Sequence, residues 1–92
     1  MSYMFTRVKV GDYETWKRNF EADPYGAREK ALGYRLCRGV EDPNEVFIQV
    51  QFPSVEDAKE AREKLLAGGL PNRFDEITGP TVAEEAEALS AA

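Results

Sequence analysis

Residues 45–52 constrain the fold most strongly, because two kinds of side chain alternate strictly along them. One set is entirely apolar and comprises Val46, Ile48, Val50 and Phe52. The other set is mainly polar and comprises Glu45, Phe47, Gln49 and Gln51. Because side chains point to alternate faces along a β-strand, the pattern predicts a half-buried strand with one strongly apolar face.

A second strand and a turn come immediately before this strand. Residues 34–40 have strand-forming side chains, and residues 41–44 (Glu-Asp-Pro-Asn) have the chemistry of a turn. The two strands should therefore form a hairpin. The β-branched and aromatic residues at 3–10 predict a further strand near the start of the chain.

Two helices are predicted, each with a capping residue at its start. Asp12 precedes the first helix, along which Tyr13, Trp16 and Phe20 recur at helical spacing. Ser54 opens the second helix and, with Asp57 three residues later, approximates a capping box. The apolar face of the second helix comprises Val55, Ala58, Ala61, Leu65 and Leu66.

The segment between the first helix and the hairpin is also predicted to be helical. Asp23 can act as an N-cap, and Pro24 suits the first helical position. Ala27, Ala31 and Leu32 give this segment an apolar side, and Gly33 is expected to end it.

The end of the chain is open to two interpretations. Residues 80–89 have a helix-forming composition. However, three strands and two helices leave an exposed sheet edge that a fourth strand would cover, so we place a strand at residues 81–86. Residues 90–92 are expected to fray.

The predicted order is β-α-β-β-α-β, the ferredoxin-like α+β arrangement, within one domain spanning residues 1–92. Both helices should lie on one face of a four-stranded antiparallel sheet. The other face would be bare and would carry Phe47, so two copies of the chain could cover each other there.

Composition excludes several classes of function. Twelve Lys and Arg against seventeen Asp and Glu give a net charge of −5, which argues against nucleic acid as a partner. No apolar run approaches the ~20 residues of a membrane span, and no signal peptide is evident. One cysteine cannot form an internal disulfide, so we expect a reducing cytoplasm. The chain has no histidine, which excludes Ser-His-Asp catalysis and His-ligated haem.

Short motifs along most of the chain carry a resemblance to a known superfamily. They lie at residues 10–17 (Val-Gly-Asp-Tyr-Glu-Thr-Trp-Lys), 40–46, 54–58 and 79–82. In their order and spacing the chain resembles the dimeric α+β barrel superfamily, which includes antibiotic-biosynthesis monooxygenases and small polyketide cyclases. More closely, it is similar to bacterial members that have no established activity.

The resemblance implies a homodimer in which two sheets pack face to face, with a cleft between helices and sheet in each subunit. Members of the superfamily act on aromatic polyketides, quinones or haem, and the haem-degrading members use a His ligand that this chain lacks. Cofactor-free monooxygenases of this type rely on Trp, Asn, Tyr and Arg around the substrate. Trp16 has a plausible position for the tryptophan, but Asn19 lies one position short of the same helical face, so this set is not expected to carry over. No cofactor is expected.

Five residues are candidates for lining the cleft. Four of them also have a plainer interpretation: the aromatic residues of the first helix can be its core face, and Arg28 can be a solvated surface charge. The candidates are Tyr13, Trp16, Phe20, Tyr25 and Arg28.

Five further residues are candidates for the dimer face of the sheet. Buried polar groups need partners, so the polar ones should bond across the two-fold axis, and the cysteine should be a buried, inert thiol. These candidates are Arg35, Cys37, Phe47, Gln49 and Gln51.

The acidic clusters lack any recognised metal-ligand spacing, so we interpret them as solvated faces and predict no metal site. They comprise Glu41, Asp42 and Glu45 in the hairpin, and Glu84, Glu85 and Glu87 near the end of the chain.

Two functions remain open at this point. The first is a homodimer that binds a small molecule, such as an aromatic metabolite, without catalysis. The second is a cofactor-independent monooxygenase or cyclase acting on an aromatic substrate in the cleft. A third function, RNA binding through the sheet, is opposed by the negative net charge and by the absence of a Lys/Arg-Gly-aromatic signature.

Overall fold

The computed structural model describes residues 1–89. Its elements follow the predicted order, and a short 3₁₀ turn precedes the last strand. In chain order they are β1 (Ser2–Lys9), α1 (Tyr13–Glu21), β2 (Gly33–Arg38), β3 (Glu45–Phe52), α2 (Val55–Ala67), the 3₁₀ turn (Leu70–Arg73) and β4 (Ile77–Glu84).

The four strands form one sheet in the order β2-β3-β1-β4, and every neighbouring pair is antiparallel. This confirms the ferredoxin-like α+β fold. A register shift lies between the β1–β4 pairs made by Phe5 and Arg7. Gly79 lies at this irregularity with φ +91, and a Cβ there would lie 2.5 Å from the Phe5 carbonyl oxygen. The close approach of the two strands therefore requires glycine.

One face of the sheet is apolar and buried beneath α2. Alternate residues of β1 and β3 form it, and Ala58 and Ala61 of α2 pack on it because their small side chains let the helix approach closely. The fully buried side chains with the greatest volume are Phe52, Val8, Val46 and Val50. The predicted apolar face of residues 45–52 is thus the centre of the core.

Both predicted helix starts are confirmed. The Asp12 carboxylate accepts the Thr15 backbone N–H at 2.9 Å, and the Ser54 hydroxyl accepts the Asp57 backbone N–H at 3.1 Å. The apolar face of α2 is shorter than predicted, because Leu66 is 38% exposed.

The predicted restart of the helix at Asp23 is wrong. Residues 22–32 form a series of turns. Asp23 and Gly26 have φ values of +48 and +64, which a right-handed helix does not allow. The Asp23 carboxylate accepts the backbone N–H groups of Ala27 (3.0 Å) and Arg28 (3.1 Å), and this stabilises the turns instead.

The end of the chain differs in position rather than in kind. The last element is a strand, as placed, but it spans Ile77–Glu84 instead of residues 81–86. Pairing with β1 sets these bounds, because Ile77 pairs with Val8 and Glu84 pairs with Ser2. The expected fraying of residues 90–92 concerns residues outside those that the structure describes.

Candidate functional site

A cavity of about 80 Å³ lies between α1, the turns at residues 22–32, the 3₁₀ turn and the apolar face of the sheet. Its floor is apolar apart from one hydroxyl and comprises Met4, Thr6, Val8, Ile48 and Val50. It exists because α1 stands away from the sheet: no residue of this helix is buried. α2 covers the core closely, whereas α1 covers it incompletely.

The aromatic residues of α1 form one wall of the cavity. The rings of Trp16 and Phe20 are stacked with centroids 5.2 Å apart. Phe20 also meets the ring of Tyr34 on β2 edge to face at 5.1 Å. Both Trp16 and Phe20 are half-buried and line the cavity. They are at once the inner face of the helix and the wall of the cavity.

Four of the five predicted cleft residues line the cavity: Trp16, Phe20, Tyr25 and Arg28. Tyr13 is not among the lining residues. Its ring lies 5.9 Å from that of Trp16, and the Arg38 guanidinium lies 4.1 Å from its centroid. One turn of helix thus carries Tyr13 beyond the end of the cavity and towards β2.

Arg28 is part of the wall rather than a solvated surface charge. Its side chain is only 14% exposed. The guanidinium lies 4.0 Å from the Phe20 ring centroid and donates a hydrogen bond to the Phe20 carbonyl oxygen. The Asp23 carboxylate lies 4.0 Å from its Nε atom. These contacts fix Arg28 beside the aromatic wall and partly compensate its charge.

Tyr25 presents an unsatisfied polar group. Its hydroxyl oxygen is buried and has no hydrogen-bond partner among residues 1–89. The position of the ring is set by Gly68, since a Cβ on Gly68 would lie 2.1 Å from Tyr25 Cδ1. A buried hydroxyl without a partner is costly, so a bound ligand that offers a hydrogen bond would relieve that cost.

Asn19 lines the same cavity as Trp16, contrary to the sequence-based expectation. Asn19 lies three positions after Trp16, and this i, i+3 spacing places two side chains as neighbours on one helix face. That spacing was the signal that could have identified Asn19. Arg73 and Phe74, which also line the cavity, come from the 3₁₀ turn and its C-cap, and no sequence pattern pointed to them.

The opposite face of the sheet is open. Pairing places Arg35 opposite Gln49 and Cys37 opposite Phe47, and Gln51 lies further along β3 on the same face. All five predicted dimer-face residues therefore share this face. Phe47 is 44% exposed, and Cys37 is an exposed thiol in the single chain rather than a buried one.

Charged groups flank this face at one end of β1. Two acids of the hairpin, Glu45 and Asp42, form ion pairs there and are not the solvated groups that the sequence predicted. Arg7 Nε donates to Glu45 at 2.6 Å, and Lys9 contacts Asp42. The hydrogen bond from Lys9 and the backbone N–H of Asn44 lower the pKa of the Asp42 carboxyl. In the same way, the Asp42 carboxylate raises the pKa of the Lys9 ammonium. These pairs join β1 to the hairpin and are structural.

The described residues hold neither a metal site nor a membrane span. Among residues 1–89, no three or more Cys, Asp or Glu side chains converge in a way that could hold a metal ion. In the same range, no helix has the length and apolar character needed to cross a membrane.

Comparison with known proteins shows the class of fold. No protein-family model and no curated protein matches the chain. Among solved structures, the chain is similar to a Deinococcus radiodurans protein described as a "putative antibiotic biosynthesis monooxygenase". The TM-score is 0.63 at 13% sequence identity, and the similarity covers 100% of this chain and 99% of that one. The two proteins therefore share the ferredoxin-like α+β fold over their whole length.

Proposed function

We propose that this protein binds a small, flat, largely apolar molecule in the cavity between its helices and its sheet. The observation that carries the proposal is a cavity with a mainly apolar lining and one buried hydroxyl, that of Tyr25, which has no hydrogen-bond partner among residues 1–89. Binding sites of small molecules commonly combine such walls with a few polar groups. The aromatic faces of Trp16 and Phe20 would stack on a planar ring.

The size of the cavity limits the ligand. Its volume of about 80 Å³ is smaller than the roughly 150 Å³ of an apolar cavity that holds benzene. A single ring would therefore need a small outward movement of α1, and a larger ligand would extend through the mouth. Such movement would disrupt few packing contacts of the core, because no residue of α1 is fully buried.

Trp16 is the only tryptophan, so its fluorescence reports directly on the cavity. We expect p-cresol, one ring with one hydroxyl, to change this fluorescence in a saturable manner. Ile48→Phe would fill space on the cavity floor and abolish the change. Val40→Phe is the matched control, because Val40 is 97% exposed outside the cavity. Saturable binding that is unaffected by Ile48→Phe would contradict a ligand in this cavity.

A cofactor-independent monooxygenase is the second candidate, and the position of Asn19 favours it. Trp16, Asn19, Tyr25 and Arg28 line one cavity, and they are the residue types on which such enzymes of the resembled superfamily rely. The substrate would be acidic enough to lose a ring C–H proton to solvent, and dioxygen would oxidise the resulting carbanion, with one oxygen atom entering the product as a carbonyl and the other leaving as water. The protein would contribute orientation and hydrogen bonds to the developing negative charge.

Dioxygen uptake tests this second candidate. An anthrone, whose ring CH₂ is acidic, is a suitable probe, and we expect the protein to accelerate its oxidation over buffer. Asn19→Ala should remove most of the acceleration while p-cresol still binds. Asn72→Ala is the control, since Asn72 is exposed in the 3₁₀ turn and does not line the cavity. Equal rates with and without protein would exclude this activity for the anthrone.

We also propose that the open sheet face is covered by a second copy of the chain. Phe5 and Phe47 are 43% and 44% exposed on this face, beside the polar side chains of Arg35 and Gln49. A central apolar surface with polar groups around it is typical of a protein–protein interface. A chain of 92 residues also benefits from such additional burial.

Sedimentation velocity at micromolar concentration tests the dimer. We expect the unmodified chain to sediment as a dimer and Phe47→Glu to sediment as a monomer, because a carboxylate would be buried in the interface. Val40→Glu places the same charge at a position that is 97% exposed beyond the end of β2, and it should leave the dimer intact. A monomeric unmodified chain would end this proposal.

A further inference from the structure

We infer that the ligand of the cavity carries a negative charge, which Arg73 receives at the cavity mouth. This rests on the proposed function and names the class of ligand: a ring with an attached carboxylate or similar oxyanion. The chain has a net charge of −5, yet two arginines and one aspartate line the cavity. The cavity therefore has a positive excess on an acidic protein, which favours an anion there.

The two arginines differ in how far their charge is already compensated. Arg28 has the Asp23 carboxylate 4.0 Å from its Nε atom and donates to the Phe20 carbonyl oxygen. Arg73 has no carboxylate within 4.0 Å among residues 1–89, and its side chain donates no hydrogen bond to that part of the chain. Its five donor N–H groups remain available for a ligand.

Arg73 lies near the ring of Tyr25, which carries the polar group inside the cavity. Its guanidinium carbon lies 5.6 Å from the centroid of the Tyr25 ring, whose hydroxyl is buried and has no partner in the described part of the chain. The Arg73 residue itself is exposed. A ligand with its ring against Trp16 could thus offer oxygen atoms to both groups. The charge would stay near water at the mouth, so its desolvation cost would be small.

A plainer role for Arg73 is a solvated charge resting on the Tyr25 ring. Asp12 and Asp75 line a neighbouring depression together with Arg73. Neither forms an ion pair with Arg73 within 4.0 Å. The plainer role predicts no preference between charged and neutral rings, so the two roles can be separated by measurement.

Benzoate and benzamide provide the test, because they have nearly the same shape and differ in charge. Binding is followed by Trp16 fluorescence, with Arg73→Gln and Arg73→Lys as variants and Arg18→Gln as the control outside the cavity. We expect benzoate to bind roughly threefold to tenfold more tightly than benzamide. Arg73→Gln should remove this preference without changing benzamide binding, Arg73→Lys should keep part of it, and Arg18→Gln should keep all of it.

The outcomes separate this inference from the proposed function. Equal binding of the two rings, or a preference that survives Arg73→Gln, overturns the inference and leaves ligand binding in place. Absence of binding by p-cresol, benzoate and benzamide overturns both. Inorganic phosphate, which has charge but no ring, should bind at least about tenfold more weakly than benzoate. Equal competition by phosphate would show a general anion patch and would also overturn the inference.

Discussion

Replacement of Gly68 by alanine should destabilise the protein through one identifiable collision. The added Cβ would lie 2.1 Å from Cδ1 and 2.3 Å from Cε1 of the Tyr25 ring. Gly68 has φ −78 and ψ −3, a conformation that alanine adopts readily, so the backbone adds no strain. The ring must move instead, and overpacking of this kind costs about 1–3 kcal/mol.

Thermal unfolding followed by circular dichroism measures this cost. For a domain of this size, about 1 kcal/mol lowers Tm by roughly 4–8 °C, so a decrease of at least about 4 °C is expected. Gly11→Ala is the matched control, because nothing lies within 4 Å of a Cβ at Gly11. That change should be neutral or should stabilise by up to about 1 kcal/mol.

A double mutant then shows whether the Tyr25 ring is the cause. In a Tyr25→Ala background, Gly68→Ala should cost little, which gives a coupling energy of about 0.5–3 kcal/mol between the two positions. The carbonyl oxygen of Lys64, 3.3 Å from the added Cβ, is still present in that background. A cost that persists undiminished without the Tyr25 ring would refute the reasoning. So would a Gly68→Ala variant as stable as the unmodified chain.

Two further predictions concern local stability. Ser54→Ala removes the acceptor of the Asp57 backbone N–H at the start of α2. Urea denaturation should show that the free energy of unfolding falls by about 0.5–2 kcal/mol, whereas Ser54→Asp should keep most of the stability of the unmodified chain. Lys9 and the Asn44 N–H lower the pKa of Asp42 below its ordinary 3.8. The stability that this carboxylate contributes is therefore present above pH 3.8, and it is lost as the pH falls through the pKa of the folded state. Asp42→Asn should therefore flatten the decline of Tm as pH falls below 3.8, and an unchanged acid limb would contradict this.

The sequence determined the parts of the fold that depend on local pattern. Strict alternation specified the strand Glu45–Phe52 at both ends, and the side chains of Asp12 and Ser54 specified where the two helices begin. These features rest on neighbouring residues only, because strand periodicity and helix capping are local. The helix predicted from Asp23 does not form, for the complementary reason. The Asp23 carboxylate could have capped a helix, but left-handed backbone at Asp23 and Gly26 directs the same N–H bonds into turns.

The cavity was decided by tertiary structure. The spacing of Trp16 and Phe20 predicted an aromatic helix face, but only the packing of α1 showed that this face stands off the sheet and leaves a gap. Arg73 reaches the gap from a segment far along the chain, where no pattern indicates it. Periodicity states which side chains share a face. How closely two faces approach depends on the volumes of all the side chains packed between them, and those side chains come together only when the chain folds.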